Sequence, residues 1–338
     1  MIIVLKTDAT KEQINHVVEK VKSFGLDVNV SEGKERTVIG VIGDEEKLRV
    51  KPLESLPGVE SVMEILKPYK RVSRDFSPAD TVITIGNVKI GGGHFAIIAG
   101  PCAIENREML ENTAKQISGK GMAILRGGAF KPRTSPYAFQ GLGEEGLKYL
   151  AEVGKKYNVP TVTEVMDTRD VDLVCRYADI IQIGTRNMQN FALLKEVGLT
   201  KIPVILKRGM MSTVQEWLMS AEYIVAGGNS QIILCDRGIR TFENSVRNSL
   251  DISSVPVVKQ LSHLPVIVDP SHSGGKWSLV EPLSLAATAV GADGLIVEVH
   301  CCPEEALCDG DQSLLPRKFE KMVGSIEKIL KVVGKKLS

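Results

Sequence analysis

Metal-binding residue types and anion-binding cations recur in this 338-residue chain at the ends of short apolar runs. Cys102 follows "FAIIAG", His272 follows "VIVDPS", Glu298 closes "LIVE", and "CDGDQSL" offers Asp309 or Asp311. A thiolate, an imidazole and two carboxylates form a mixed donor set that suits Mn, Fe, Co, Cu or Zn and does not choose among them. The plainer account of the same residues is a buried thiol, a hydrogen-bonding histidine and a salt-bridged glutamate. Position in sequence admits both. Cys301, Cys302 and Cys308 are rival ligands, but they lack the paired spacing of a zinc knuckle.

A second group is cationic: Arg126, Lys131, Arg133, Arg186, Lys207, Arg208 and Arg237. Lys plus Arg number 42 against 41 Asp plus Glu, so this clustering is a local excess in a nearly neutral chain. Arginine binds two oxygens of a carboxylate or phosphate with one planar fork, and lysine adds a compact charge. The substrate is therefore expected to be polyanionic. For Lys131 and Arg133, surface salt bridging is the competing explanation. Glu164, Gln182, Asp236, Asp269 and His300 also stand at run ends.

The elements that must position these side chains show in the pattern. "FAIIAG", "MAILRGG", "TVTEV", "IIQIGT", "VILKRG", "IILCDRG", "VIVDPSH" and "LIVEVH" are apolar runs, each followed by a helix-length segment. Continuous rather than alternating hydrophobicity marks strands buried on both faces, as in a parallel sheet covered by helices. Eight such units over roughly 250 residues predict a (β/α)₈ barrel, in which strand C-termini converge on one mouth. An open doubly wound sheet is the rival, but no run is followed by a glycine-rich dinucleotide fingerprint. Ahead of the barrel, "TVITIGNVKIGGGH" predicts a hairpin, and its glycines precede a strand rather than opening a helix, unlike a phosphate loop.

Residues 1–66 read differently. "MIIVLK", a helix over "TKEQINHVVEKVKSFG", "DVNVSE", "RTVIGVIGD", a charged helix from Glu45 to Leu56 and "GVESVMEIL" give βαββαβ, the ferredoxin-like plan. Residues 67–80, basic and proline-containing, read as a linker to a catalytic unit at 81–338. Net charge near zero gives no reason to expect nucleic acid or an anionic membrane as partner. The N-terminus lacks signal-peptide features and no run spans a membrane, so the chain reads as cytoplasmic. Six irregularly spaced cysteines suit reduced thiols, with Cys175 an inert core thiol. Trp217 and Trp277 read as packing between helices or lining the rim.

Taken together, "AGPCAIE", "LRGGAFKPRTSPYAFQG", "QIGTRNMQN", "ILKRGM", "CDRG", "VDPSHSGG", "GLIVEVH" and "CDGDQSL" resemble the 3-deoxy-D-arabino-heptulosonate 7-phosphate (DAHP) synthases over about residues 80 to 335. The N-terminal unit resembles the regulatory domain of one subgroup. The resemblance implies condensation of phosphoenolpyruvate with erythrose 4-phosphate and water, releasing phosphate, as the first step of the shikimate pathway. It implies one divalent ion on Cys102, His272, Glu298 and Asp309, with Asp309 preferred over Asp311. Arg126 and Lys131 would hold the phosphoenolpyruvate carboxylate region, and Arg186, Lys207 and Arg237 its phosphate. Pro132, Arg133, Thr134 and Ser135 would take the sugar phosphate. Lys131 would donate the proton to the new alkoxide, with Asp309 or a metal-bound water in competition. Feedback inhibition by tyrosine or phenylalanine and a homo-oligomer, a tetramer by resemblance, are further implications. The alternatives are 3-deoxy-D-manno-octulosonate 8-phosphate synthase, against which "KPRTSP" argues, a metal-free Schiff-base aldolase using Lys131 or Lys207, and a non-catalytic sugar-phosphate sensor.

Overall fold

The computed structural model describes residues 1–338 except 34–35, 44–47, 49–50 and 64–67. It divides into two compact units, Met1–Pro68 and Tyr69–Ser338.

In the first unit, β1 (Ile2–Leu5), β2 (Asp27–Glu32), β3 (Thr37–Ile42) and β4 (Val59–Met63) form an antiparallel sheet in the order β2-β3-β1-β4. The helix Lys11–Ser23 starts at a Thr10/Gln13 capping box, which satisfies backbone donors that the first turn leaves open. It buries Val17 and Val21, one turn apart, against Ile3, Leu5 and Ile39. Of the helix expected over Glu45–Leu56, residues 45–47 and 49–50 lie outside the described residues. Within that span Leu48 is buried and Leu53–Ser55 forms a single 3₁₀ turn.

The second unit is the eight-stranded parallel barrel: β7 (His94–Gly100), β8 (Ile124–Arg126), β9 (Thr161–Val165), β10 (Ile180–Ile183), β11 (Val204–Lys207), β12 (Ile232–Asp236), β13 (Val266–Val268) and β14 (Gly294–Glu298). Each pairs with the next, and β14 closes onto β7 with Gly294 opposite Ala96 and Glu298 opposite Gly100. Side chains alternate between two sides of each strand. Phe95, Ile97 and Ala99 pack outward with the helices, whereas Ala96 and Ile98 face a separate interior core. The predicted hairpin, β5 (Ile83–Ile85) and β6 (Val88–Ile90), adds Ile83, Ile85, Val88 and Ile90 to that interior core.

Residues 69–80, within the stretch read as a linker, bond to the barrel. Tyr69 and Val72 belong to the outer core of the barrel, and the Glu222 carboxylate accepts from the backbone N–H groups of Lys70, Arg71 and Val72 at 3.0–3.1 Å. Arg74 donates to Lys259 O at 2.9 Å and pairs with Asp80 at 2.7 Å. The basic, proline-containing composition that reads as a linker here serves backbone and side-chain bonding along the barrel wall. Trp217 is fully buried and donates to Leu206 O at 3.1 Å, while Trp277 is half exposed beneath Lys318. Among the described residues, no helix is long and apolar enough to cross a membrane.

Candidate active site at the barrel mouth

Strand parity selects the side chains that reach the mouth. Ile124, Val162, Ile180, Ile205, Cys235 and Ile296 all face the barrel interior, and two residues further on stand Arg126, Glu164, Gln182, Lys207, Arg237 and Glu298. These therefore point into the same space at the C-terminal end. Arg208 and Asp236 have the opposite parity. Arg208 turns away from the mouth, with Nη1 on Asp236 at 3.0 Å and on Asp251 at 2.7 Å and its guanidinium over the Trp217 ring. It does not line the cavity with the other cations; it ties the loops after β11 and β12 together.

The mouth holds a cavity of about 310 Å³. Arg126, Lys131, Arg186, Lys207 and Arg237 line it, with Pro132, Arg133, Thr134 and Ser135 on the loop after β8. Arg126 and Arg237 are buried, and each has an Nη1 with no hydrogen-bond partner. Buried donors without acceptors are costly, so this cavity is built to receive an anion. Burial opposes the charge of Lys131, but Cys102 and Glu164 outweigh it and push the ammonium pKa up; Nζ donates to Cys102 O at 3.0 Å.

On one wall, donor atoms of Cys102, His272, Glu298 and Asp309 all lie within 4.8 Å of one another. His272 Nδ1 lies 2.7 Å from Asp269 Oδ2, close but out of line for a hydrogen bond, and Nε2 stands 3.4 Å from Glu298 Oε1 and 3.7 Å from Asp309 Oδ2. Burial holds the imidazole pKa below its ordinary value despite Asp269. A neutral ring backed by a carboxylate is the form that ligates metals. Asp269 also accepts from Lys207 Nζ at 2.5 Å, so it supports the two groups and does not face the cavity itself.

Glu298 is fully buried. Gln312 Nε2 donates to its Oε2 at 2.8 Å, while Oε1 has no hydrogen bond and sits 3.3 Å from Arg126. Burial, helped by the Cys102 charge, pushes its pKa up to about 7. Contact with Cys308 and then burial raise the Cys102 thiol well above the ordinary range. Asp309 behaves oppositely: burial opposes its charge, but Arg247 and His272 bring it down to about 2. A bare buried carboxylate oxygen, a thiol that needs a cation to ionise and a backed imidazole together fit a divalent ion.

Close backbone approach shapes these walls. A Cβ on Gly100, whose φ is +149°, would stand 2.1 Å from Arg126 O, and one on Gly184 would meet Glu164 Oε1 at 1.8 Å.

Of the expected residues, Asp311 is exposed and outside the donor group. Cys301 approaches Met109 O instead, whereas Cys308 Sγ lies 3.4 Å from Cys102 Sγ. His300 is buried 3.8 Å from Glu105, away from the cavity lining. Two site residues carry no sequence signal of the kind used for the others. Arg247 lines the cavity from a polar stretch after β12, 3.1 Å from Asp309. Gln312 sits inside "CDGDQSL" but is neither charged nor at a strand end.

Comparison with known proteins follows the same lines. The DAHP synthetase I family model matches residues 76–333, and that of the DAHP synthase ferredoxin-like domain matches residues 1–67. A phospho-2-dehydro-3-deoxyheptonate aldolase of Thermotoga maritima is 56% identical over 338 residues, covering 100% of both chains. The crystal structure of DAHP synthase from that organism matches with a TM-score of 0.96 at 56% identity, covering 100% of this chain and 99% of the other. A truncated form of the Thermotoga maritima enzyme matches 79% of this chain and 98% of its own, with a TM-score of 0.74 at 55% identity. A 2-dehydro-3-deoxyphosphooctonate aldolase of Geobacter sulfurreducens is 33% identical over 263 residues, 71% of this chain and 96% of that protein.

Proposed function

Because the chain belongs to the DAHP synthetase I family, we propose that it is a metal-dependent DAHP synthase that condenses phosphoenolpyruvate with D-erythrose 4-phosphate and water, releasing phosphate. The observation that carries the reading is the adjacency of a four-donor group and an anion cavity with unpartnered guanidinium nitrogens.

In this reading Cys102, His272, Glu298 and Asp309 hold one divalent ion. When bound, the ion supplies a Lewis acid for the aldehyde oxygen. Arg126 and Lys131 take the carboxylate end of phosphoenolpyruvate. Arg186, Lys207 and Arg237 take its phosphate, and Arg237 Nη1 finds there the acceptor that the protein does not provide. Arg133, Thr134 and Ser135, set by Pro132, bind the phosphate of the sugar. Two multiply charged substrates repel one another in water, and these cations neutralise both while holding the reacting carbons at attack distance. Lys131 stays protonated at neutral pH because anionic neighbours favour its charge. An ammonium so held is a poor Schiff-base nucleophile, yet a nascent alkoxide is basic enough to take its proton.

The test is phosphate release from phosphoenolpyruvate with erythrose 4-phosphate against arabinose 5-phosphate, with and without chelator. Release with erythrose 4-phosphate, lost on chelation and restored by a divalent ion, is expected. Preference for arabinose 5-phosphate would move the chain to the octulosonate reaction named for its more distant relatives. Chelator-resistant turnover trapped by borohydride would establish the Schiff-base route instead.

We read residues 1–66 as the sensor for a feedback inhibitor, tyrosine or phenylalanine. A match to the ferredoxin-like domain of DAHP synthases supports the reading. A homo-oligomer, tetrameric by resemblance, belongs to the same proposal.

A further inference from the structure

Among the thiols near the end of β14, Cys308 alone among the described residues meets Cys102, with its Sγ 3.4 Å away and the residue 5% exposed. Asp309, next in sequence, brings Oδ2 within 3.5 Å of the same Cys102 sulfur. Consecutive side chains of an extended segment point to opposite sides. The left-handed backbone of Asp309, φ 55°, is what allows both to reach one atom. Cys308 is not one of the four mutually close donors, and it reaches them through Cys102.

We propose, resting on the metal reading above, that Cys308 is a further ligand of the ion, so that two sulfurs grip it and the site favours thiophilic divalent ions such as zinc or cadmium over magnesium. With five protein ligands the site is no longer tetrahedral, and two sulfurs each about 2.3 Å from one zinc-sized ion stand roughly 3.3–4.0 Å apart at the roughly 90–120° angles of a five-coordinate centre. The observed 3.4 Å falls inside that range, and Cys308 Sγ, which stands outside the group of donors within 4.8 Å of one another, has to turn toward the other three by side-chain rotation. Charge is accommodated too. A second thiolate beside Cys102, Glu298 and Asp309 adds negative charge, and three guanidiniums stand against it. Arg133 donates to Cys308 Sγ, Arg247 lies 3.1 Å from Asp309, and Arg126 lies 3.3 Å from Glu298. Two soft donors shift preference toward soft ions, whereas an oxygen-rich set favours hard ones.

The experiment titrates cobalt(II) into the reduced, metal-stripped full-length protein and reads the sulfur-to-cobalt charge-transfer band. The unaltered chain should show roughly twice the intensity of Cys308→Ser, with Cys102→Ser keeping a one-sulfur band of its own. Equal intensity in the unaltered chain and Cys308→Ser overturns the proposal and leaves the metal reading standing. No band in the unaltered chain sinks both. Cadmium-113 resonance on the unaltered protein gives a second answer that needs no variant. A two-sulfur chemical shift supports the assignment, and a one-sulfur shift overturns it.

Discussion

Glu298 shows how much a single side chain depends on its surroundings. Gln312 occupies one of its oxygens and accepts from Arg247 Nη1 at 2.7 Å, so the amide is oriented from both ends and the other carboxylate oxygen is left bare. Replacing Gln312 with Leu removes that orientation without touching a ligand. Divalent-metal affinity should fall about 10- to 100-fold, the usual effect of losing a partner behind a ligand, and the metal-free protein should lose about 1–3 kcal/mol because Glu298 Oε2 and Arg247 Nη1 each lose a buried partner. Isothermal titration with the metal alone reads the difference; unchanged affinity would show that Gln312 orients nothing. The raised pKa of Glu298 also sets a pH dependence. Unfolded, this carboxyl titrates near 4.5 and folded near 7, so as pH rises through that window the unfolded chain loses its proton first and the metal-free fold loses stability. Metal binding needs the carboxylate and so strengthens over the same window. The gap in denaturation midpoint between metal-loaded and chelated protein should widen from about pH 5 to about pH 8. A gap that narrows contradicts the assignment.

At the scale of elements, the mouth depends on strand ends that approach more closely than side chains permit. Gly100 ends β7 at φ +149°, and a methyl there would drive into the β8 backbone at Arg126. Gly100→Ala should cost at least about 2 kcal/mol in urea denaturation, because backbone cannot yield as a flexible side chain does. Gly324 is the control: it lies on the exposed side of the helix Pro316–Val332 with open space at its Cβ. Alanine there should stabilise by about 0.5–1 kcal/mol. If both substitutions were neutral, the close approach of β7 to β8 would not be a constraint on this barrel.

For the whole molecule, two units of different architecture share one chain, and the truncated Thermotoga relative matches 79% of this chain. On the proposed sensor role of the N-terminal unit, deleting residues 1–66 should leave condensation activity and abolish the inhibition that tyrosine or phenylalanine is expected to exert on the full chain. Initial rates across an inhibitor series check this. A truncated chain still inhibited would place the sensor in the barrel and leave the N-terminal unit some other task.

The sequence by itself determined the barrel, because strands buried on both faces must be apolar throughout and charges at their ends have one place to go. Alternation puts Lys207 and Arg208 on opposite sides of their strand, but a run that is apolar throughout does not say which side faces inward; the sequence groups both with the mouth cations, and the structure turns Arg208 to Asp236 and Asp251. Tertiary structure alone decided the rest. Arg247 beside Asp309, Gln312 on Glu298 and Cys308 on Cys102 are pairings between loops or across a turn, with no period to announce them. The stretch from residue 67 to 80 reads as a linker, and nothing local in it announces that Glu222, far along the chain, supplies acceptors for the backbone of residues 70–72. Local pattern records which face of an element is buried; which distant loop comes to meet it is settled when the barrel closes.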